Sequence, residues 1–291
     1  MNEKNLDYLK NSMKYLGFGD KLNDVLEKAI RQELPKFTIS LNNSIAPPGS
    51  SKDNLSERDF IRYDLSFSKS KDSDMYFLNH YQAKLQKPHT PEREHTFTLN
   101  NGNWTTAKEA YNLLSVRAVN KDIPPKDDSA EKVNIWMKLD LDVKDARGNY
   151  PVRYFYPNYG YDLVNALSKY PLTDLNDPEK KAILVSSLKK GDLGSAELLL
   201  NGKKTTVFIA ANPEMKGVDI FDKKLHPVKD YHIWPELTKG KNVEQTSTEG
   251  AVEKVAGRRR SKSDSVSSVA SAKPWAHEQG NKESKSTGRN M

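Results

Sequence analysis

The residues that most restrict what this chain can become run from Gly191 to Leu225, GDLGSAELLLNGKKTTVFIAANPEMKGVDIFDKKL. At their centre Asn201-Gly202 separates two β-prone runs. A type I′ turn needs positive φ at both central positions, and Asn-Gly is the dipeptide that meets this demand most readily. The stretch therefore reads as a helix exit followed by a three-stranded meander. Leu198 and Leu200 mark the first strand and Thr205 to Ala210 the second. A loop holding Asn212-Pro213 and Gly217 leads to the third, Val218 to Phe221.

Looser versions of this block precede it. Residues 3–31 read as two helices, the first with Leu6, Leu9, Met13 and Leu16 at helical spacing and Gly17 as the exit residue. Asp20 is the expected N-cap of the second, whose stripe is Leu22, Val25, Leu26, Ala29 and Ile30. Strands are expected at Phe37–Leu41, Phe60–Phe67 and Met75–Leu85, with a loop over Asn43–Arg58 rich in Pro, Gly and Ser. After the break at Lys87–Pro91 comes a short strand, Thr96–Leu99. A helix follows, opened by a capping box of Thr106 and Glu109 and buried along Ala107, Ala110, Leu113 and Leu114. Strands at Arg117–Asp122, Val133–Leu141 and Pro151–Tyr156 complete a second unit. In the middle one, Ile135, Met137, Leu139 and Leu141 alternate with polar residues, so one face is expected buried and the other wet. Asp162–Tyr170 is a short helix. Asp177-Pro178 opens another, with Ile183, Leu184 and Leu188 on one face, and it delivers the chain to the meander.

The fold class expected is α+β, with antiparallel β-meanders packed with amphipathic helices. These form either three degenerate helix-plus-three-strand units or one unrepeated sheet. The expected divisions are residues 1–92, then 93–236 (or one body, 1–236), then a disordered basic tail over 237–291. Charge supports the last boundary. Of the 46 Lys+Arg and 39 Asp+Glu, residues 237–291 hold 11 and 6, leaving the first 236 residues at net +2 out of +7. The tail has few large apolar groups with which to bury surface. With no cysteine there is no disulfide, thiol nucleophile or thiolate metal site. No apolar run approaches membrane-spanning length and the N-terminus has no signal-peptide pattern, so a cytoplasmic protein with no membrane partner is expected.

Several stretches together resemble a group of uncharacterised proteins from conjugative and other mobile elements of Bacteroidetes-type bacteria. They are MNEKNLDYLKNSMKYLGFGDKL, SDMYFLNHYQAKL, TAKEAYNLLSVRAVNKD, YGYDLVNALSKYPL, LNDPEK and FIAANPEMKGVDIFDKKL, in that order, between Met1 and Val228. The resemblance implies a cytoplasmic accessory factor related to longer element-encoded proteins with similar helix-and-meander units, and carries over no catalytic residues. Two departures stand out. The loop at Asn43–Arg58 is extra length, and Val116 stands where the family pattern suggests a glycine leaving the helix. A β-branched residue resists positive φ, so a different exit is expected there.

Chemistry is sparse. His80, His89, His95, His226, His232 and His277 form no HExxH or HxH pattern. His80 and His95 could meet across paired strands, but both read as solvated strand residues. There is no GxSxG, Walker loop or GxGxxG, and no cofactor is implied. Asp140, Asp142 and Asp145 cluster in LDLDVKD; period-two spacing would put Asp140 and Asp142 on one strand face, which reads as a wet face before it reads as a metal site. Arg153, Tyr154 and Tyr156 in YPVRYFYPNYGY offer an aromatic surface of the kind that stacks single-stranded bases, against the commoner use of such residues as sheet cover. Arg258, Arg259, Arg260 and Lys262 form the one concentrated cation cluster, suited to sequence-independent phosphate contact. The function expected is a non-enzymatic accessory protein that binds an unidentified protein or other macromolecular partner, with nucleic-acid contact through the tail. The alternative is a protein-interaction scaffold whose tail only solubilises.

Overall fold

The computed structural model describes residues 2–50, 54–99, 104–124, 131–200 and 202–234. Helix α1 (Glu3–Tyr15) begins where the Asn2 side chain accepts the Asn5 N–H, and α2 (Asn23–Arg31) follows it. Strands β1 (Lys36–Ile45), β2 (Asp59–Lys69), β3 (Tyr76–Gln86) and β4 (Arg93–Thr98) form one antiparallel sheet in sequence order. Helix α3 (Ala107–Leu114) leads to β5 (Val119–Ile123), β6 (Val133–Leu139) and β7 (Val152–Phe155), a second sheet in sequence order. Helices α4 (Leu163–Ser168) and α5 (Pro178–Lys189) precede the third sheet, made of β8 (Gly194–Leu200), β9 (Lys203–Asn212) and β10 (Gly217–Phe221), and α6 (Asp230–Ile233) follows it. The class is α+β, with every strand pairing antiparallel. The described elements all fall in one contact unit, Met1–Val243. None of their helices is long and apolar enough to cross a membrane.

The middle sheet separates two cores. Val119, Met137 and Leu139 face a core shared with α1, α2, α3 and the inner side of the first sheet. Ala118, Trp136 and Phe155 point the other way, into a core with α4, α5 and the third sheet. The expectation of a wet second face on β6 is thus wrong: Trp136 is buried there and Lys138 is drawn into an ion pair with Glu214. Alternation predicts which residues share a face, but not what covers the opposite one.

In the first core three aromatic rings lock helix to sheet. Phe18 packs edge-on against Tyr63 and Tyr81, with centroids 5.4 and 5.2 Å away. The two buried hydroxyls donate to the Ala107 and Thr105 carbonyls, each at 2.7 Å, so the entry to α3 is tied to β2 and β3. The Leu16 carbonyl accepts the Ala107 N–H at 2.8 Å, tying it to the α1 exit as well. The capping box of Thr106 and Glu109 is present, and Lys121 adds an ion pair to Glu109 at 2.7 Å.

Several local expectations need correction. Asp20 is not the cap of α2; Leu22 occupies that position without a side-chain bond. Val25 and Ile183 are exposed although helical spacing puts them on buried stripes, because only Leu22, Leu26 and Ile30, and Leu184 and Leu188, reach a core. β1 extends to Ile45, into the expected loop. β4, expected in the second unit, pairs with β3 and completes the first sheet.

The helices preceding the three sheets leave by one motif. In α2, α3 and α5 the chain turns through a residue at positive φ, namely Glu33, Val116 and Gly191. Its N–H and the next one bond back to carbonyls three and five residues earlier: Val116 to Leu113 at 3.1 Å and Arg117 to Asn112 at 3.0 Å, for example. Val116 adopts φ +68°, so the expectation of a different exit is overturned. Paired carbonyls and the packing of α3 outweigh a strain of about 1–3 kcal/mol. Gly191 is constrained twice, since an added Cβ would lie 2.9 Å from the Ala118 carbonyl oxygen. Val116→Gly should therefore raise stability by about 1 kcal/mol, while Gly191→Ala should lower it by about 2 kcal/mol or more. Urea denaturation of the two variants beside the parent chain checks both signs.

Candidate functional site

The aromatic stretch lies at an open edge. Among the described residues β7 pairs only with β6, and within four residues Phe155 is buried while Tyr154 stays 43% exposed. Tyr156 follows as the residue before a 3-10 turn, 46% exposed, its ring 6.5 Å from that of Tyr154 and tilted by 48°. Burial of its remaining surface pushes the Tyr154 phenol above its ordinary pKa. Tyr159 packs edge-on against Phe155, donates its hydroxyl to the Glu214 carbonyl at 2.9 Å and carries Lys216 above its ring at 4.6 Å. Met215, between Glu214 and Lys216 in the β9–β10 turn, is 75% exposed. Arg153 points to the other side of β7 from Tyr154 and is bound by Glu214, which also binds Lys138 at 3.1 Å. The Lys138 hydrogen bond, then that of Arg153, hold the Glu214 carboxyl below the usual range. The ledge thus has three exposed rings, of which Tyr159 is covered by Lys216, while its arginine is already neutralised.

The other residues singled out from the sequence fare differently. Arg258, Arg259, Arg260 and Lys262 lie outside the described residues. β6 ends at Leu139, so Asp140 and Asp142 lie in a turn and share no strand face. There Asp140 accepts the Asp142 N–H, and Asp145 accepts those of Arg147 and Asn149. Among the described residues no group of three or more His, Cys, Asp or Glu is placed to hold a metal. His80 and His95 do not meet: His80 pairs with Thr98, and His95 with Ala83 on the inner face. His95 is a core residue, not a solvated one. Its Nδ1 accepts the Tyr150 N–H at 3.2 Å.

This chain matches no family model, no curated protein and no solved structure.

One constellation has no counterpart in the sequence patterns. Asp59, at the start of β2, is 1% exposed and accepts from Lys87 at 2.6 Å and from the Tyr111 hydroxyl at 2.8 Å. The Arg117 guanidinium lies 5.1 Å from the Tyr111 ring centre, donating to the Gly191 carbonyl at 2.7 Å and to Asn112 Oδ1 at 2.5 Å. Burial pushes Tyr111 up to about 12 and pulls Lys87 and Arg117 below their ordinary values. This cluster clamps β2, the β3 exit, α3 and the α5 exit together. Its members are scattered from Asp59 to Arg117, with no motif spacing to betray them.

Burial lowers the pKa of His95 from 6.5 to about 4. The folded chain keeps this imidazole neutral while the unfolded chain protonates it, so stability present above pH 6.5 is lost as pH falls toward 4. The loss amounts to about 3 kcal/mol at most. His95→Asn keeps an acceptor for the Tyr150 N–H but cannot take up the proton. Urea midpoints at about pH 7.5 and pH 4.5, on either side of the unperturbed value, should differ less for this variant than for the parent. Equal differences would contradict the assignment.

Proposed function

We propose that this chain is a non-enzymatic binding module, of the accessory type encoded by mobile elements, that engages a macromolecular partner. Nucleic acid stacks on Tyr154 and Tyr156, and Arg258, Arg259, Arg260 and Lys262 hold its phosphates. The observation that carries this reading is the exposure of Tyr154 on β7 and of Tyr156 just after it, on either side of the buried Phe155. A tyrosine left in water contributes little to folding, while its π-face accepts any base. Because Glu214 occupies Arg153, most of the phosphate attraction falls to the basic tail.

A protein partner is the second reading, and exposed Met215, in the turn that Tyr159 hydrogen-bonds through Glu214, favours it. Methionine and tyrosine are enriched at protein interfaces, where flexible and rigid apolar groups pack together.

Fluorescence anisotropy with a labelled single-stranded oligonucleotide over a salt series separates these contributions. Replacing Tyr154 and Tyr156 by alanine should weaken binding about tenfold or more and leave the salt slope unchanged, since stacking is worth about 1–3 kcal/mol per base. Replacing the four tail cations by alanine should instead flatten the slope, by roughly 0.7 for each phosphate no longer neutralised. Unaltered binding in the tyrosine variant removes the ledge from the proposal. No binding by the parent chain removes nucleic acid and leaves the protein partner.

A further inference from the structure

A cavity of about 260 Å³ opens where the α3 exit meets β6, β9, β10 and the turn after β10. Its walls include the apolar side chains of Val116, Leu193, Phe221 and Leu225, and its polar groups include Ser115, Arg117, Lys138 and Asp219. Apolar walls with a few converging polar groups are the usual make-up of a small-molecule site, and this volume is below the roughly 300–1,000 Å³ of pockets for drug-sized ligands.

Three independent features set this cavity apart. The Ser115 Oγ is buried and has no hydrogen-bond partner among the described residues. Leaving a buried hydroxyl unpaired costs about 1–3 kcal/mol, which a bound acceptor or donor would recover. Two lining residues, Val116 at φ +68° and Leu225 at φ +62°, hold left-handed conformations that branched side chains seldom adopt. Strain of this kind gathers at ligand sites. Two charged lining groups lack an ion pair among the described residues. Lys138 is paired with Glu214, whereas Asp219 accepts from the neutral Asn212 amide at 2.9 Å and Arg117 likewise bonds only neutral groups. Its hydrogen-bond acceptors at Gly191 and Asn112 are a backbone carbonyl and an amide oxygen, both neutral. A part-buried guanidinium without a bonded carboxylate favours an anion, and its planar donors match a carboxylate.

We propose that this cavity binds a small organic carboxylate with an apolar body. The carboxylate meets Arg117 and the Ser115 hydroxyl, and the body lies against Val116, Leu193 and Phe221. The site does not depend on the nucleic-acid reading; the two touch only through Glu214, which joins Lys138 at the cavity to Arg153 on β7.

Sodium benzoate serves as the probe and benzamide as its neutral isostere, titrated into the full chain by calorimetry. Arg117 is unsuited to substitution because it also holds the α5 exit. Ala210 is better: it lies opposite Asp219 in the β9–β10 register and lines the cavity, so Ala210→Leu fills the space. Ser115→Ala removes a hydroxyl that has no partner to lose. Benzoate should bind saturably and benzamide about tenfold or more weakly. Ala210→Leu should abolish benzoate binding while retaining a cooperative thermal transition, and Ser115→Ala should weaken it about threefold to tenfold. The proposal is overturned by any of three results. These are no saturable benzoate binding by the parent, equal affinity for benzamide, or parental affinity in a folded Ala210→Leu chain.

Discussion

Burial of the middle sheet on both faces is the constraint on which the rest of the molecule depends. A three-stranded sheet depends on a hydrophobic face or a packed helix for its stability. Here it gains a core on each side, with Met137 and Leu139 facing one and Trp136 and Phe155 the other. Two-sided burial also explains the polar residue at its centre. Lys138 alternates onto a covered face and is tolerated because Glu214, from the β9–β10 turn, reaches its amine. Once the faces are used, the edge is what remains. β7 is one such edge, and among the described residues no strand pairs beyond it where Tyr154 and the following Tyr156 are exposed.

The entry and exit of α3 translate this arrangement into sites. Its entry is held by the hydroxyls of Tyr63 and Tyr81 and by the Leu16 carbonyl, so the helix cannot slide on the first sheet. Its exit presents Ser115, Val116 and Arg117 in a row to the third sheet. The Arg117 side chain then closes onto the α5 exit at Gly191, beside the buried pair of Asp59 and Lys87. Replacing such a pair by apolar residues is often neutral for stability, while removing one partner is destabilising. The cluster accordingly fixes how the segments dock more than it adds to their stability.

Much of this was legible in the sequence wherever local physics decides. Thr106 and Glu109 announced the start of α3, Asp177-Pro178 that of α5, and Gly17 the end of α1. The third meander was readable from hydrophobic alternation around one turn dipeptide. Other features had no local signature. The positive-φ exits use Glu33, Val116 and Gly191, of which only the glycine advertises the conformation. Val25 and Ile183 obey helical spacing yet face water, because a stripe can be wider than the core it meets. His95 looked like any strand histidine until Ala83 and Tyr150 placed it inside.

Taken by itself, the sequence determined the α+β class, nearly every helix and strand, and the pattern of helix followed by meander, since backbone propensity, capping and alternation act over a few residues. Tertiary structure alone decided that β4 completes the first sheet, that β6 is covered on both faces and that Asp59, Lys87, Tyr111 and Arg117 come together. It also decided that Ser115 and Arg117 line one cavity with Asp219 and Leu225. Those outcomes depend on which distant surface covers a given face, and no spacing within a single segment encodes its cover.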